Sequence, residues 1–255
     1  MRYFEPGNEP DHLSGRPISR NGYVLGGGAD VNAYYVYSYE DIAHILNDIC
    51  WYVNRGIKSV NPRNTVVLPG LCNTINSMDF LEEVYLAIES CTLPSGQEYA
   101  DINPDNYFQI LCWHPYLTGD GILEMGEEWL KFQKDMYAIA QRHGDDGKLV
   151  WYTEIGFTDR GFEDVEKKNA DRLIMALNYI KNDLPFVETA CIYRITDLVT
   201  APVSDAENHF GIFRSLDHPD PARAGEPKPI AIALYKYFKG KDADITPLYK
   251  FMKTE

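Results

Sequence analysis

Lys148-Leu149-Val150-Trp151-Tyr152-Thr153-Glu154-Ile155-Gly156 is the stretch that decides the fold class. Lys148–Thr153 reads as a strand, and its apolar and aromatic residues follow one another without regular polar alternation. A strand that is apolar on both faces belongs to a sheet covered on both sides, which means parallel strands under packed helices. The strand then delivers a glutamate at its carboxyl end, and Gly156 follows.

The same strand–helix cycle recurs on either side. Arg2–Pro6 is a short aromatic strand, and Asp11–Tyr37 is a long loop that holds Gly26-Gly27-Gly28. The triplet does not lie between a strand and a helix in phosphate-loop form, so it reads as flexible loop. Ser38 is placed to cap a helix over Tyr39–Arg55 with Ile42, Ile45, Leu46, Ile49 and Val53 inward. Asn64–Leu71 is a buried strand around Val66-Val67-Leu68, stopped by Pro69-Gly70. Ser77–Cys91 is a helix with Phe80, Leu81, Val84 and Ile88 inward. Tyr107–Trp113 is a strand and Glu127–His143 a helix. Glu163–Asn182 is a helix whose acidic Glu163–Glu166 run suits a solvated first turn. Glu188–Tyr193 is the last strand and Lys228–Phe238 the last helix.

This gives an α/β chain of five strand–helix units, with Val31–Val36 as a spare strand-like run. No Pro-, Gly- or Ser-rich linker divides it, so residues 1–255 read as one domain. Five open units leave edges at Arg2–Pro6 and Glu188–Tyr193, and exposed edges pair with other chains. Self-association, or an amino-terminal segment that completes the sheet, is therefore expected.

Net charge is −14, which argues against nucleic acid or an anionic membrane as partner. No apolar run approaches the ~20 residues of a membrane span. The five cysteines (Cys50, Cys72, Cys91, Cys112, Cys191) are scattered and odd in number, and they read as buried free thiols in a reducing compartment. No leader pattern opens residues 1–30, so a cytoplasmic location is expected unless an upstream segment directs secretion. With no CxxC and no HExxH, neither a metal site nor a cofactor is expected.

Chemistry-bearing residues collect at strand ends. Glu9 follows the first strand, His114 and Tyr116 the third, Glu154 the fourth, and Tyr193, Arg194 and Asp197 the fifth. In a strand–helix barrel such ends converge on one mouth. Two carboxylates presented there match glycosidic bond cleavage, in which one protonates the leaving oxygen and the other attacks or stabilises the sugar cation. Trp113 is either core or a sugar platform. Asp197 and Glu207 also read as loop caps.

The order of these strings resembles retaining glycoside hydrolases of the eightfold-barrel clan that includes families 5 and 39, and is nearest in look to family 39. Asn8-Glu9-Pro10 is similar to the pair that ends strand four there. The resemblance implies Glu9 as general acid/base and Asn8 as a ligand of the sugar 2-hydroxyl. His114 and Tyr116 match a His-x-Tyr at strand six, with the Tyr bonded to the nucleophile. Thr153-Glu154-Ile155-Gly156 matches the nucleophile string of strand seven. Tyr193 stands where the clan usually has Trp. Asn208-His209-Phe210-Gly211-Ile212-Phe213 and Pro227-Lys228-Pro229 resemble the last loop and helix entry. The resemblance implies a barrel reduced to its five carboxyl-terminal units, with carboxyl groups ~5–5.5 Å apart for retention. The substrate would be an oligo- or polysaccharide. A catalytically impaired carbohydrate-binding remnant is the alternative.

Overall fold

The computed structural model describes residues 2–13, 17–18, 35–36, 38–72, 75–90, 102–116, 125–199 and 205–252. Gly26–Gly28 and Cys91 lie outside them. The strands are β1 (Tyr3–Phe4), β2 (Pro17–Ile18), β3 (Tyr35–Val36), β4 (Thr65–Val66), β5 (Ile110–Cys112), β6 (Leu149–Ile155) and β7 (Val187–Ile192). The helices are α1 (Tyr39–Val60), α2 (Ile75–Glu89), α3 (Glu127–Arg142), α4 (Glu163–Asp183), α5 (Pro229–Lys239) and α6 (Thr246–Phe251). The five expected strands and five expected helices all form. Within the expected long loop, β2 and β3 pair antiparallel. The six-residue α6 was not anticipated.

The sheet follows chain order. β1 pairs parallel with β4, and parallel bridges Val67↔Ile110 and Leu71↔Trp113 carry the chain beside β4 onto that of β5. β5 pairs parallel with β6, and β7 neighbours β6. Among the described residues no pairing joins β7 to β1, so they show parallel sheet with covering helices and no closed barrel.

The chain divides into two compact units. The first is Met1–Pro115, Lys131–Thr153 and Phe186–Ala190; the second is Tyr116–Leu130, Glu154–Pro185 and Cys191–Glu255. The chain changes unit five times: after Pro115 and after Pro185 in connecting segments, and inside α3, β6 and β7. A crossing made within a regular element carries no Pro-, Gly- or Ser-rich signature.

In the first unit, Ser38 caps α1 through a capping box with Asp41. The helix buries Ile42, Ala43, Leu46, Asn47, Cys50, Trp51 and Asn54, while Ile45 and Ile49 are exposed. The inward stripe is thus rotated from the expected one. Polar Asn47 belongs to it because its amide donates to Val84 O at 2.9 Å, which satisfies a buried group. α2 packs on α1 and buries Phe80, Leu81, Val84 and Ile88 as expected. Each such side chain contributes about 1.5–3 kcal/mol relative to exposure.

In the second unit, α4 packs on α5 around Phe157, Leu173, Ile212, Phe213 and Ile230. Glu166 is not solvated as its acidic run suggested. It is buried and held by Arg214, with Nη2 2.7 Å from Oε1. Burial pushes its carboxyl above the usual range, and Arg214 opposes that shift. Lys228 is also buried, with Nζ 2.6 Å from Asp159 and 2.7 Å from Asp197. Asp197 is therefore an ion-pair partner of a buried lysine rather than only a loop cap. Cys50 is buried, and burial pushes its thiol up to about 12. Cys191 is exposed on β7, which corrects the expectation of uniformly buried thiols.

Candidate active site

The first unit places Glu9 by backbone contacts. Its N–H donates to Gly70 O at 2.8 Å, and Asn8 bridges Gly70 in parallel register. The Gly70 N–H in turn donates to Glu5 Oε1 at 2.8 Å. Glu9 has φ 45, the left-handed region that costs a side-chain-bearing residue about 1–3 kcal/mol and recurs at functional sites.

His114 follows β5, with its N–H bonded to Leu71 O at 2.7 Å. Its ring is fully buried. Nδ1 lies 2.9 Å from Glu9 Oε1, and Nε2 lies 3.0 Å from Thr153 Oγ1. Thr153 Oγ1 also contacts Cys112 Sγ at 3.1 Å and donates to Glu5 Oε1 at 3.3 Å. Gly70 makes room for this ring: a Cβ there would stand 2.1 Å from His114 Nε2.

Glu5, Cys112 and His114 bring three potential ligand atoms within 4.8 Å of one another. The Thr153 hydroxyl stands 3.0–3.3 Å from all three, where an ion at ~2.0–2.3 Å from each donor would have to displace it. The arrangement fits a hydrogen-bond hub better than a metal centre.

Trp113 settles as core. It is fully buried, and its Nε1–H donates to Gln133 Oε1 at 2.7 Å. A ring with no exposed face cannot stack on a sugar, so its expected role as a substrate-binding residue is corrected.

The second unit holds Glu154, Tyr116 and Tyr193. The Tyr116 hydroxyl donates to Glu154 Oε2 at 2.5 Å. Tyr116, Tyr193 and Phe210 meet edge to face, with centroids 5.5–6.1 Å apart, a favoured aromatic geometry. Tyr193 O–H donates to Glu207 Oε2 at 3.2 Å. Burial, then Glu207, push that phenol above its ordinary range. Gly156 is required because a Cβ there would meet Tyr193 O at 1.9 Å. A separate cavity of about 610 Å³, lined in part by Arg160, His209 and His218, includes none of these three residues.

Reading the sequence missed Glu5, Thr153, Cys112, Gly70 and Phe210. Thr153 was visible as the residue before Glu154, and Gly70 as a strand stop. Glu5 carried no signal beyond a charge inside an aromatic strand.

These strand-end carboxylates sit on a fold with clear relatives among solved structures. The GH39 (glycoside hydrolase family 39) enzyme from Xanthomonas axonopodis pv. citri is similar at 20% identity and TM-score 0.54, over 93% of this chain and 40% of that one. A GH39 beta-xylosidase from Caulobacter crescentus is similar at 18% identity and TM-score 0.54, over 93% and 41%. The fold is GH39-like. A glucosidase from Croceicoccus marinus is also similar, at 18% identity and TM-score 0.53, over 90% and 38%. The chain thus spans about two fifths of the length of these structures. No protein-family model matches it, and no curated protein matches it in sequence.

Proposed function

We propose that this chain is a glycoside hydrolase that cleaves β-glycosidic bonds by double displacement. Glu9 in its acid form gives a proton to the leaving oxygen. Glu154 as the anion attacks the anomeric carbon, so a glycosyl–Glu154 ester forms and the glycosidic bond breaks. Water then attacks the same carbon and gives its proton to Glu9, which restores both groups. The reading requires the two carboxyl groups to face one sugar ring at ~5–5.5 Å. Asn8 is assigned to the sugar 2-hydroxyl, and Tyr116 and Tyr193 to the glycone wall. The barrel context of this reading is a proposal too: the five parallel units correspond to the carboxyl-terminal units of a GH39-type barrel.

One observation carries the assignment of roles. Glu9 pairs with an imidazole nitrogen, which can give or take the hydrogen of that bond, whereas Glu154 accepts a phenol O–H, which orients an anion. A panel of aryl β-glycosides with NMR of the first-formed anomer tests it. Turnover with retention, abolished by Glu154→Gln, is the expected result. Inversion would sink the double displacement. Sugar binding without turnover in the wild type would favour the carbohydrate-binding remnant.

A further inference from the structure

The hub beneath Glu9 has one feature that simple placement does not require. Thr153 Oγ1 carries a single hydrogen but faces three groups that could take it, Glu5 Oε1 at 3.3 Å, His114 Nε2 at 3.0 Å and Cys112 Sγ at 3.1 Å. An ionised carboxylate is acceptor-only, whereas a neutral imidazole offers one N–H and one lone pair. If Thr153 donated to His114, its oxygen lone pairs would face the Glu5 carboxylate with no proton between them. If it donates to Glu5, each contact has a donor and an acceptor: Thr153 O–H to Glu5, and His114 Nε2–H and the Cys112 thiol to the two lone pairs of Thr153. The Gly70 N–H points the same way, since it too donates to Glu5 Oε1 at 2.8 Å. Buried polar groups adopt the arrangement that leaves none opposed.

We propose that Thr153, oriented by Glu5, holds His114 in the Nε2–H tautomer, so that the Nδ1 lone pair faces Glu9 and keeps a proton on that carboxyl. Glu5 and Thr153 are then positioning residues that act through His114. The consequence for turnover rests on the reading of Glu9 as the acid; the tautomer itself does not. A carboxyl that donates to a neutral nitrogen is loaded for transfer to a leaving oxygen. The opposite tautomer would donate Nδ1–H to Glu9 and favour its anion, which is useless as an acid.

Nitrogen-15 NMR of the full chain labelled at histidine tests the tautomer, with His114→Gln assigning the signals among the six histidines. The expected wild-type pattern is protonation at Nε2 with a lone pair at Nδ1. Thr153→Val removes the acceptor for Nε2–H with little change of shape, and the pattern inverts. Thr153→Ser restores it. A wild-type ring protonated at Nδ1, alone or together with Nε2, overturns the proposal, as does a pattern unmoved by Thr153→Val. The kinetic arm compares aryl glycosides. Thr153→Val slows a phenyl glycoside, which needs the acid, by about 10²-fold or more. It leaves a dinitrophenyl glycoside, which does not, within a few-fold. Equal slowing of both would also overturn it. If the wild type turns over no glycoside, the hydrolase reading fails and the NMR result alone decides the tautomer.

Discussion

Glu9 and Glu154 both end apolar strands, yet their surroundings differ in kind. Glu9 is held on a left-handed backbone and bonded to a buried ring that continues through Thr153 to Glu5. Glu154 has an ordinary strand backbone and meets a phenol beside a cluster of aromatic edges. One carboxyl is bonded to a ring nitrogen that can either give or take the hydrogen of that bond. The other is fixed by a group that, at neutral pH, only donates. A residue that changes protonation during turnover needs the first setting, and a nucleophile needs the second.

The sharpest way to break that contrast is to neutralise each glutamate. Glu154→Gln should lower turnover of every aryl glycoside by at least about 10³-fold, because no covalent intermediate can form. Glu9→Gln should cost about 10²–10⁴-fold on poor leaving groups and far less on dinitrophenyl glycosides. Equal losses across leaving groups for Glu9→Gln would erase the distinction.

Next in size is the buried cation of the second unit. Lys228→Met should destabilise by about 3–5 kcal/mol in urea unfolding, since Asp159 and Asp197 would lose their shared partner. Burial already holds the Asp197 carboxyl above the usual range, with Lys228 opposing. An acid raised in the native state binds its proton more tightly when folded. Stability therefore falls as pH rises from the unfolded value through the native one. Removing Lys228 enlarges that shift, so the variant should recover part of its loss in acid. A loss independent of pH would show that lost packing, not charge, sets the cost.

A smaller effect is expected at Gly70. Gly70→Ala puts a methyl group 2.1 Å from His114 Nε2, and overpacking of this kind costs about 1–3 kcal/mol. The decisive readout is local. If the hub holds Glu9, Gly70→Ala should shift the His114 ring signals and slow phenyl glycosides. It should leave the Tyr116–Glu154 bond intact.

The strand–helix order was legible because both-face apolar runs and 3.6-residue stripes are strong signals over long elements. The capping box at Ser38 and the Phe80, Leu81, Val84 and Ile88 face could be read directly. The rotation of α1 could not: Asn47 and Asn54 point inward because backbone carbonyls wait there, and a hydrophobic pattern is blind to that. The strand-end placement of Glu154 was legible from its neighbours in sequence. The hub was not, because Glu5, Cys112 and Thr153 are far apart in the chain and meet only through strand register. Trp113 misled for the same reason. A tryptophan beside a strand end looks like a platform until Gln133, twenty residues on, is seen to bond its nitrogen.

The smallest expected effect is also the best control for Lys228. Arg142 and Glu82 form an ion pair in the first unit at 2.5 Å, but Arg142 is 58% exposed, whereas Lys228 is 1% exposed. Water already screens the surface pair, so Arg142→Ala should cost under about 1 kcal/mol. In the wild type the Glu82 contribution to stability should run opposite in pH to that of Asp197. Burial pulls the Glu82 carboxyl up, but hydrogen bonds from Arg142 and His143 outweigh it and hold the group below its usual range. A lowered acid adds stability above its unfolded value and loses it as pH falls through the native one. Each lost cation had favoured an ionised carboxylate, so both losses should shrink in acid: slightly for Arg142→Ala, and by much more for Lys228→Met. Measured by urea unfolding across the same acid range, an Arg142→Ala loss as large and as pH-dependent as that of Lys228→Met would mean that burial does not separate these two pairs.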